Sequence, residues 1–430
     1  MKKITISLLL SLGSFCVTAQ DTSNLPKQWT LQECIDYAIQ HNISINTLKL
    51  NSSSAQLDVS QSKYNQLPSV GGSIAQNLGN NNSVSFTSNY GVSSTLTLYN
   101  GGYLKNDIKA KELSLESANL SVEEASNDIT LNITQSFLNI LLVKENITSL
   151  EQIRSTSEEQ LKQAQQLYDA GSIARKELVQ FQSQLASDEY NLVSAHNNYR
   201  SNVVALKQIL QLPASDNFEI LAPTSIAIQE AVLTLDNTLS AAQNSRPEIK
   251  NKNVAIQLAQ VNLEKIKASR MPVISLGAGL SSGYSSIQSS KYLPQLGNNF
   301  SQTLGVSMSI PIFSRNQNKT NITKSTIAIE QAKLDLSNAA TSLNQQVEQV
   351  YINLLNAQAQ YKAADTRLKV AKESYDITNE QLRLGSVIAI DVLIQRNTYT
   401  QALQSYIQAK YTAILYNKIY GFYSGQPIVF

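Results

Sequence analysis

Charge is scarce in this chain. Only 15% of its 430 residues are Asp, Glu, Lys or Arg, against roughly 25% in an ordinary soluble domain, and Gln, Asn, Ser and Thr fill the vacated places. Basic and acidic residues nearly balance, at 34 and 32, so nothing favours a nucleic acid or an anionic surface as partner. Nine prolines and sixteen glycines leave long stretches without a breaker, which favours long helices over compact globules. There are two cysteines, and no disulfide forms if the first is removed with a leader. Beyond the N-terminus no apolar run approaches the ~20 residues of a transmembrane helix. A membrane-crossing form of this chain therefore crosses as strands.

Chemistry-bearing groups are equally sparse. His41 and His196 stand on separate segments without Cys or paired carboxylates at ligand spacing. Cys34 lies beside Ile35 on an amphipathic helix and reads as a small packed residue rather than a reactive thiol. No Gly-rich phosphate loop, nucleophile elbow or basic aromatic patch is present. The expectation is a protein without catalytic residues, cofactor or metal.

What is there begins with a leader. Met1-Lys2-Lys3, the apolar run Ile4 to Leu12 and Val17-Thr18-Ala19 form a secretory signal with expected cleavage after Ala19. Lipidation of Cys16 is the alternative, disfavoured by the bulk of Phe15 before it. Loss of Lys2 and Lys3 leaves 32 basic against 32 acidic residues, a neutral mature chain.

Residues 20–212 read as one structural unit. Thr30 with Glu33 is a capping box ahead of a helix, expected to run, with a break near His41-Asn42, to about Gln66, where Leu67-Pro68 stops it. The period then changes from 3.6 to 2. Val70, Ile74 and Leu78 alternate with Ser69, Ser73 and Asn77, and Val92, Leu96 and Leu98 with Ser93, Thr95 and Thr97. Strands are expected at about 69–78 and 90–99, long enough to cross a bilayer when tilted. From Gly102 no Pro or Gly appears until Gly171, so a helix of some 68 residues, about 100 Å long, is expected between them. A returning helix runs from there to Leu212-Pro213.

The unit occurs twice. At an offset of 204, Leu31 meets Leu235, Ile35 meets Leu239 and Pro68 meets Pro272; at 214, Ile108 meets Ile322, Leu141 meets Leu355 and Gly171 meets Gly385. The change of offset places an insertion in the second hairpin loop, Ser281 to Asn299, where it disturbs no helix. Residues 213–231 are expected to connect the copies, and 232–430 to hold the second, with strands at about 273–281 and 301–312.

Each unit turns on one glycine. Gly171-Ser172-Ile173-Ala174 and Gly385-Ser386-Val387-Ile388 each separate two helical patterns, Gly supplying the left-handed conformation that closes a helix. Glu177 and Asp391 follow in the first turn of the returning helix, worth about 0.3 to 1 kcal/mol each against the helix dipole. Arg175 and Arg383 lie nearby in the sequence, which leaves an ion pair with Glu177 or Asp391 open. These four are candidate gate or cap charges.

Four strands cannot close a barrel, which needs about eight, and lipid tolerates no open sheet edge. Three chains resolve the conflict with twelve strands, and twelve helices continue them as a tube. The start Leu31-Gln32-Glu33-Cys34-Ile35-Asp36-Tyr37-Ala38, the boundaries at Pro68 and Pro272, the strand exits Tyr99-Asn100-Gly101-Gly102 and Ile310-Pro311-Ile312-Phe313, and the two tips together resemble the outer-membrane efflux protein family, the TolC-like channels of Gram-negative bacteria. The resemblance spans nearly the whole mature chain. It implies a mainly helical homotrimer with a β-barrel in outer-membrane lipid and an α-barrel in the periplasm. It further implies a passive export duct for small molecules that docks a periplasmic adaptor and an inner-membrane pump through the tips, residues 171–174 and 385–388. Val387 departs from the family, some members of which carry a basic residue there to hold the entrance shut; Ile394 likewise stands where some carry an acid. An entrance held by apolar and hydrogen-bonding contacts is the resulting expectation. A type I protein-secretion duct is one alternative, and a non-channel periplasmic coiled-coil scaffold is another.

Overall fold

A computed structural model describes residues 28–80, 84–213, 218–223 and 234–428. The expected signal peptide and Cys16 lie outside the described residues. Thr30 opens the first helix as foreseen: its N–H donates to the Glu33 carboxylate at 2.7 Å while its hydroxyl accepts the Glu33 N–H at 3.3 Å. Helix α1 (Leu31–His41) ends at Asn42, whose side chain then caps α2 (Ile43–Tyr64) by accepting from Ser44 N and Ile45 N. One residue thus both breaks and restarts the rod. Just before α1, strand β1 (Gln28–Trp29) pairs in parallel with β4 (Glu219–Ile220), a pairing within the stretch expected to be a plain connector.

Pro68 ends the helical section, and β2 (Ser69–Asn80) and β3 (Val84–Tyr99) form the first hairpin. Strand β3 starts six residues before the expected one. Its Val84, Phe86 and Tyr90 pair with Asn80, Leu78 and Ile74, a continuation hidden by the Asn/Ser content around it. The hairpin leads into α3 (Tyr103–Asp169), the tip and α4 (Arg175–Leu210). The second unit follows with α5 (Leu235–Ser245), α6 (Pro247–Ala268), β5 (Val273–Ser285), α7 (Tyr292–Asn298), β6 (Ser301–Ser309), α8 (Gln317–Arg383) and α9 (Ala389–Tyr423). Two differences from expectation stand out. The inserted stretch is no simple loop, since β5 runs on to Ser285 and α7 fills half of the rest. Strand β6 stops at Ser309 rather than 312, because Pro311 has no N–H to give the ladder.

Both long helices have 67 residues, roughly 100 Å at 1.5 Å per residue. Neither could stand alone. Beside the strands, α2, α3, α6 and α8 pack side by side; beyond the middle, α3 packs on α4 and α8 on α9. Four helices therefore lie abreast at each level. The largest core sits at the middle, where α1 is wedged against α3 and α4 while α9 packs on α3: Trp29, Cys34, Ile35, Ile133, Phe137, Leu138, Leu206, Leu210, Ile407 and Ile414 are all buried there. Burial pushes the Cys34 thiol up to about 12, which leaves it protonated and inert as a nucleophile.

The two strand exits adopt one backbone with different residues. Gly101 and Gly102 have φ of 65° and 84°, and Arg315 and Asn316, 214 positions later, have 48° and 60°. The exit therefore corresponds to Phe313–Asn316 rather than to Ile310–Phe313, one turn later than the sequence comparison placed it.

Candidate functional site

The four long strands form one sheet in the order β2-β3-β5-β6. Register assigns its faces, because paired residues share a side. On one face Val70 is opposite Ser94, Ile74 opposite Tyr90, Val92 opposite Leu280, Leu96 opposite Leu276, Ala278 opposite Leu304 and Leu276 opposite Val306. On the other, Gly71 is opposite Ser93, Ser93 opposite Gly279, Ser275 opposite Ser307 and Gly279 opposite Thr303. One face is aliphatic and aromatic, the other almost wholly Ser, Thr, Gly and Asn. Val70, Ile74, Leu78, Leu304 and Val306 are 67–77% exposed on the protomer, and a contiguous apolar surface of this kind marks an interaction face. Between Ser69 and Gly102 there is no Asp, Glu, Lys or Arg, and between Val273 and Ser314 only Lys291. That charge vacuum is a sequence signal stronger than the alternation itself.

Among the described residues β2 and β6 each pair on one side only. No described helix is long and apolar enough to cross a membrane.

The tips lie at the opposite end. At the first, Ser172 N donates to Leu167 O at 2.8 Å and Gly171 N to Tyr168 O at 2.9 Å; at the second, Ser386 N donates to Gln381 O and Gly385 N to Leu382 O, both at 2.9 Å. Each is a Schellman closure with Gly in the left-handed position, φ 71° and 75°. Ala174 and Ile388 are the extended residues from which α4 and α9 start. Buried Leu178, Phe181, Ala389, Leu393 and Ala164, with half-buried Ile173, join the two tips into one cluster.

The candidate charges separate. Asp391 accepts from the Ile388 N–H at 3.4 Å, a cap. Arg383 does not pair with Glu177 or Asp391: it binds Glu380 on its own helix through two hydrogen bonds of 2.9 and 2.6 Å. Their separation of three residues puts them on neighbouring turns, which wins over any partner across the tip. Glu177 and Arg383 nonetheless line the same small recess of about 80 Å³ with Ile173, Phe181 and Leu382. Arg175 is exposed, as are Ser172, Ala174, Ser386 and Ile388, while Val387 is half-buried.

Sequence reading missed the groups that hold the two hairpins together. Arg396 of α9, buried with 3% of its side chain exposed, forms an ion pair with Asp188 of α4, itself 5% exposed. Ser157 of α3 donates to Asp188 at 2.6 Å and accepts from Arg396 at 2.5 Å, and Gln184 satisfies the other Asp188 oxygen at 3.1 Å. Nearer the tips, Gln160 donates to Tyr375 and Asn379 of α8. Nearer the middle, Lys410 and Tyr411 of α9 donate to Glu145 of α3 at 2.7–2.9 Å. A signal existed: Asp188 falls seven residues from both Phe181 and Ala195, and Arg396 seven from Ala389 and Leu403, so each charge interrupts an apolar stripe, with opposite signs.

The site is thus a polar-faced, apolar-backed sheet at one end and two cross-tied tips at the other. The profile of the outer membrane efflux protein family matches residues 34–211 and 238–414, one stretch in each unit. The chain is 19% identical over 388 residues to the outer membrane efflux protein BepC of Brucella suis, covering 90% of this chain and 83% of that one. It is 20% identical over 299 residues to the proteases secretion protein PrtF of Dickeya chrysanthemi, covering 67% and 62%. Its fold matches the crystal structure of the Campylobacter jejuni CmeC outer membrane channel with a TM-score of 0.77 at 17% identity, over 99% of this chain and 94% of that one.

Proposed function

The chain belongs to the outer membrane efflux protein family, and from that premise we propose that it is the passive outer-membrane exit duct of a tripartite export system for small molecules. The observation that carries the reading is the two-faced, uncharged sheet whose outer strands β2 and β6 each have, among the described residues, one open edge. β6 of one copy pairs with β2 of the next, and three copies close a twelve-stranded wall whose aliphatic face meets outer-membrane lipid and whose Ser/Thr/Gly face lines water. The helices, four abreast at each level, continue that wall into the periplasm as a twelve-helix tube. Closure by three copies satisfies every ladder edge, as lipid demands.

At the far end six tips form the entrance, 171–174 and 385–388 being the surface that meets a periplasmic adaptor beneath which an inner-membrane pump stands. Leu384, Ile388 and Ile394, each more than half exposed on the protomer, close against their copies around the axis in place of an ion-pair lock. Little net field opposes a solute of either sign, so selection rests with the pump. A type I secretion duct is the second reading, favoured by the likeness to PrtF. The test is deletion of Ser172 and Ser386 together in the native host. Dye accumulation in cells with trimers and barrel intact supports the efflux reading, whereas loss of a secreted protein without dye accumulation supports the secretion reading. Loss of assembly instead makes the tips structural and overturns their docking role.

A further inference from the structure

The two outer hairpins differ in a way that closing a pore does not require. The second carries α7, and the structure fixes that helix firmly. Gln295 is buried; its side-chain oxygen accepts the Ser285 N–H at 2.9 Å, and its amide donates to Ser285 O at 3.1 Å and Ser290 O at 2.6 Å. Asn299 donates to Gly283 O at 2.7 Å and Ser282 to Leu296 O at 2.6 Å. A slack surface loop would leave such groups to water.

The side on which α7 lies follows from the register. Tyr292 packs on Tyr284 with ring centroids 4.8 Å apart and shares a 2.6 Å hydrogen bond with the hydroxyl of Tyr90. Tyr90 is opposite Ser282 and Tyr284 opposite Ser88, two and four residues on from the Val92–Leu280 pair, so both tyrosines stand on the apolar face. α7 therefore covers the outer end of that face and not the polar one. Continuity runs through a recess lined by Ile74, Tyr90, Val92, Leu280 and Phe300. Beyond it Leu293 is 75% and Ile287 72% exposed. Lys291, which starts the helix, is the one charge in this region, and its sign suits anionic headgroups.

We propose that α7 is a foot resting on the outer-leaflet lipid, with Leu293 and Ile287 at the boundary of acyl chains and headgroups and Tyr90, Tyr284, Tyr292 and Phe300 as its aromatic belt. The proposal rests on the reading of the sheet as a lipid-embedded wall, because it takes the occupant of α7's outer surface to be the same lipid. Aromatic rings with one apolar and one hydrogen-bonding side concentrate at that depth, and an apolar helix surface joined to a lipid-facing wall is covered most simply by more lipid. Three copies of the foot around the rim would fix the depth of the barrel.

The test uses the full chain in phosphatidylcholine vesicles with brominated acyl chains, which quench tryptophan on contact. The sole native tryptophan, Trp29, is buried in the core at the middle of the helical region, so the added signal is read by difference. Leu293→Trp and Ile287→Trp are each expected to lose most of their added emission to bromines near the top of the chains and little to aqueous iodide. Val306→Trp, in the sheet, reports the wall separately through bromines deeper in the chains. Quenching of Val306→Trp by lipid, with Leu293→Trp and Ile287→Trp quenched by iodide alone, overturns the foot and leaves the wall standing. No lipid quenching at Val306→Trp overturns the wall itself.

Discussion

The two tips share a backbone and differ in surface. Both close with glycine at φ near 70° and the same pair of hydrogen bonds, yet Asp169, Arg175, Lys176 and Glu177 surround the first, whereas only Arg383 and Asp391 occupy the matching positions of the second. Ala170 and Ala174 become Leu384 and Ile388, 68% and 60% exposed. Glycine settles the geometry, and the side chains beside it remain free to diverge. On the proposed reading, the duplicated hairpin supplies one tip for closure against its own copies and another for a charged partner.

The largest effect should come from charging the apolar tip. Leu384→Glu with Ile388→Glu would place like charges where the proposed trimer brings its copies together, and an increase on the order of tenfold in open probability is expected in planar bilayers, since about 1.4 kcal/mol suffices for tenfold. Ala170→Glu with Ala174→Glu should leave it nearly unchanged; equal effects would break the contrast between the tips.

The next largest concerns what joins them. Arg396→Met strands Asp188 in a buried site, at a cost of about 3–5 kcal/mol, visible as faster hydrogen exchange around Ser157 and Gln184. Arg396→Met with Asp188→Leu should recover most of it. If the double variant exchanges as fast as the single one, packing rather than charge compensation holds the hairpins.

Gly171→Ala and Gly385→Ala should cost alike, about 1–2 kcal/mol, the strain of a left-handed non-glycine residue, because an added Cβ meets nothing within 4 Å at either site. Gly101→Ala should cost more: there the Cβ would lie 2.5 Å from that of Met271. Thermal unfolding of the three variants gives the order.

The asymmetry extends up the rods. Burial, together with Glu248 and their mutual repulsion, raises the Glu124 carboxyl above its ordinary value, and burial with Glu248 does so for Asp128; the second unit has Asn338 and Ser342 in the corresponding places. A raised folded-state pKa means that the native chain holds protons which the unfolded chain has lost. Stability should therefore fall as pH rises from the ordinary carboxylate range, about 4, through the raised values. Glu124→Gln with Asp128→Asn should flatten the pH profile of the melting temperature, and an unchanged profile would refute the assignment. Smallest of all, Glu177→Ala and Asp391→Ala should each cost about 0.3–1 kcal/mol without altering conductance; a large rise in conductance would make them the lock.

Much of the fold was legible because it depends on period and punctuation. Thr30 with Glu33, Pro68, Gly171 and Gly385 mark helix ends by local chemistry, and a repeat written twice tests every mark against its copy. The start of β3 was obscured because Ser and Asn look like a loop while Val84 and Phe86 alternate beneath them. The exit at Arg315-Asn316 was obscured because two non-glycine residues adopt the left-handed backbone that Gly101-Gly102 announce openly. Pairings were the least visible part. Arg383 chose Glu380 three residues away, and Arg396 of α9 found Asp188 of α4: a break in each apolar stripe marks the charge, but no local pattern says which charge it meets.

The central claim is that one pore needs three chains. Native mass measurement in mild detergent, on the same preparation that is then inserted into planar bilayers, tests it most directly. The account predicts a mass of three chains and a single conducting unit for each insertion. A monomer with its sheet intact, or a trimer that never conducts even when Leu384 and Ile388 are replaced by Glu, would contradict it.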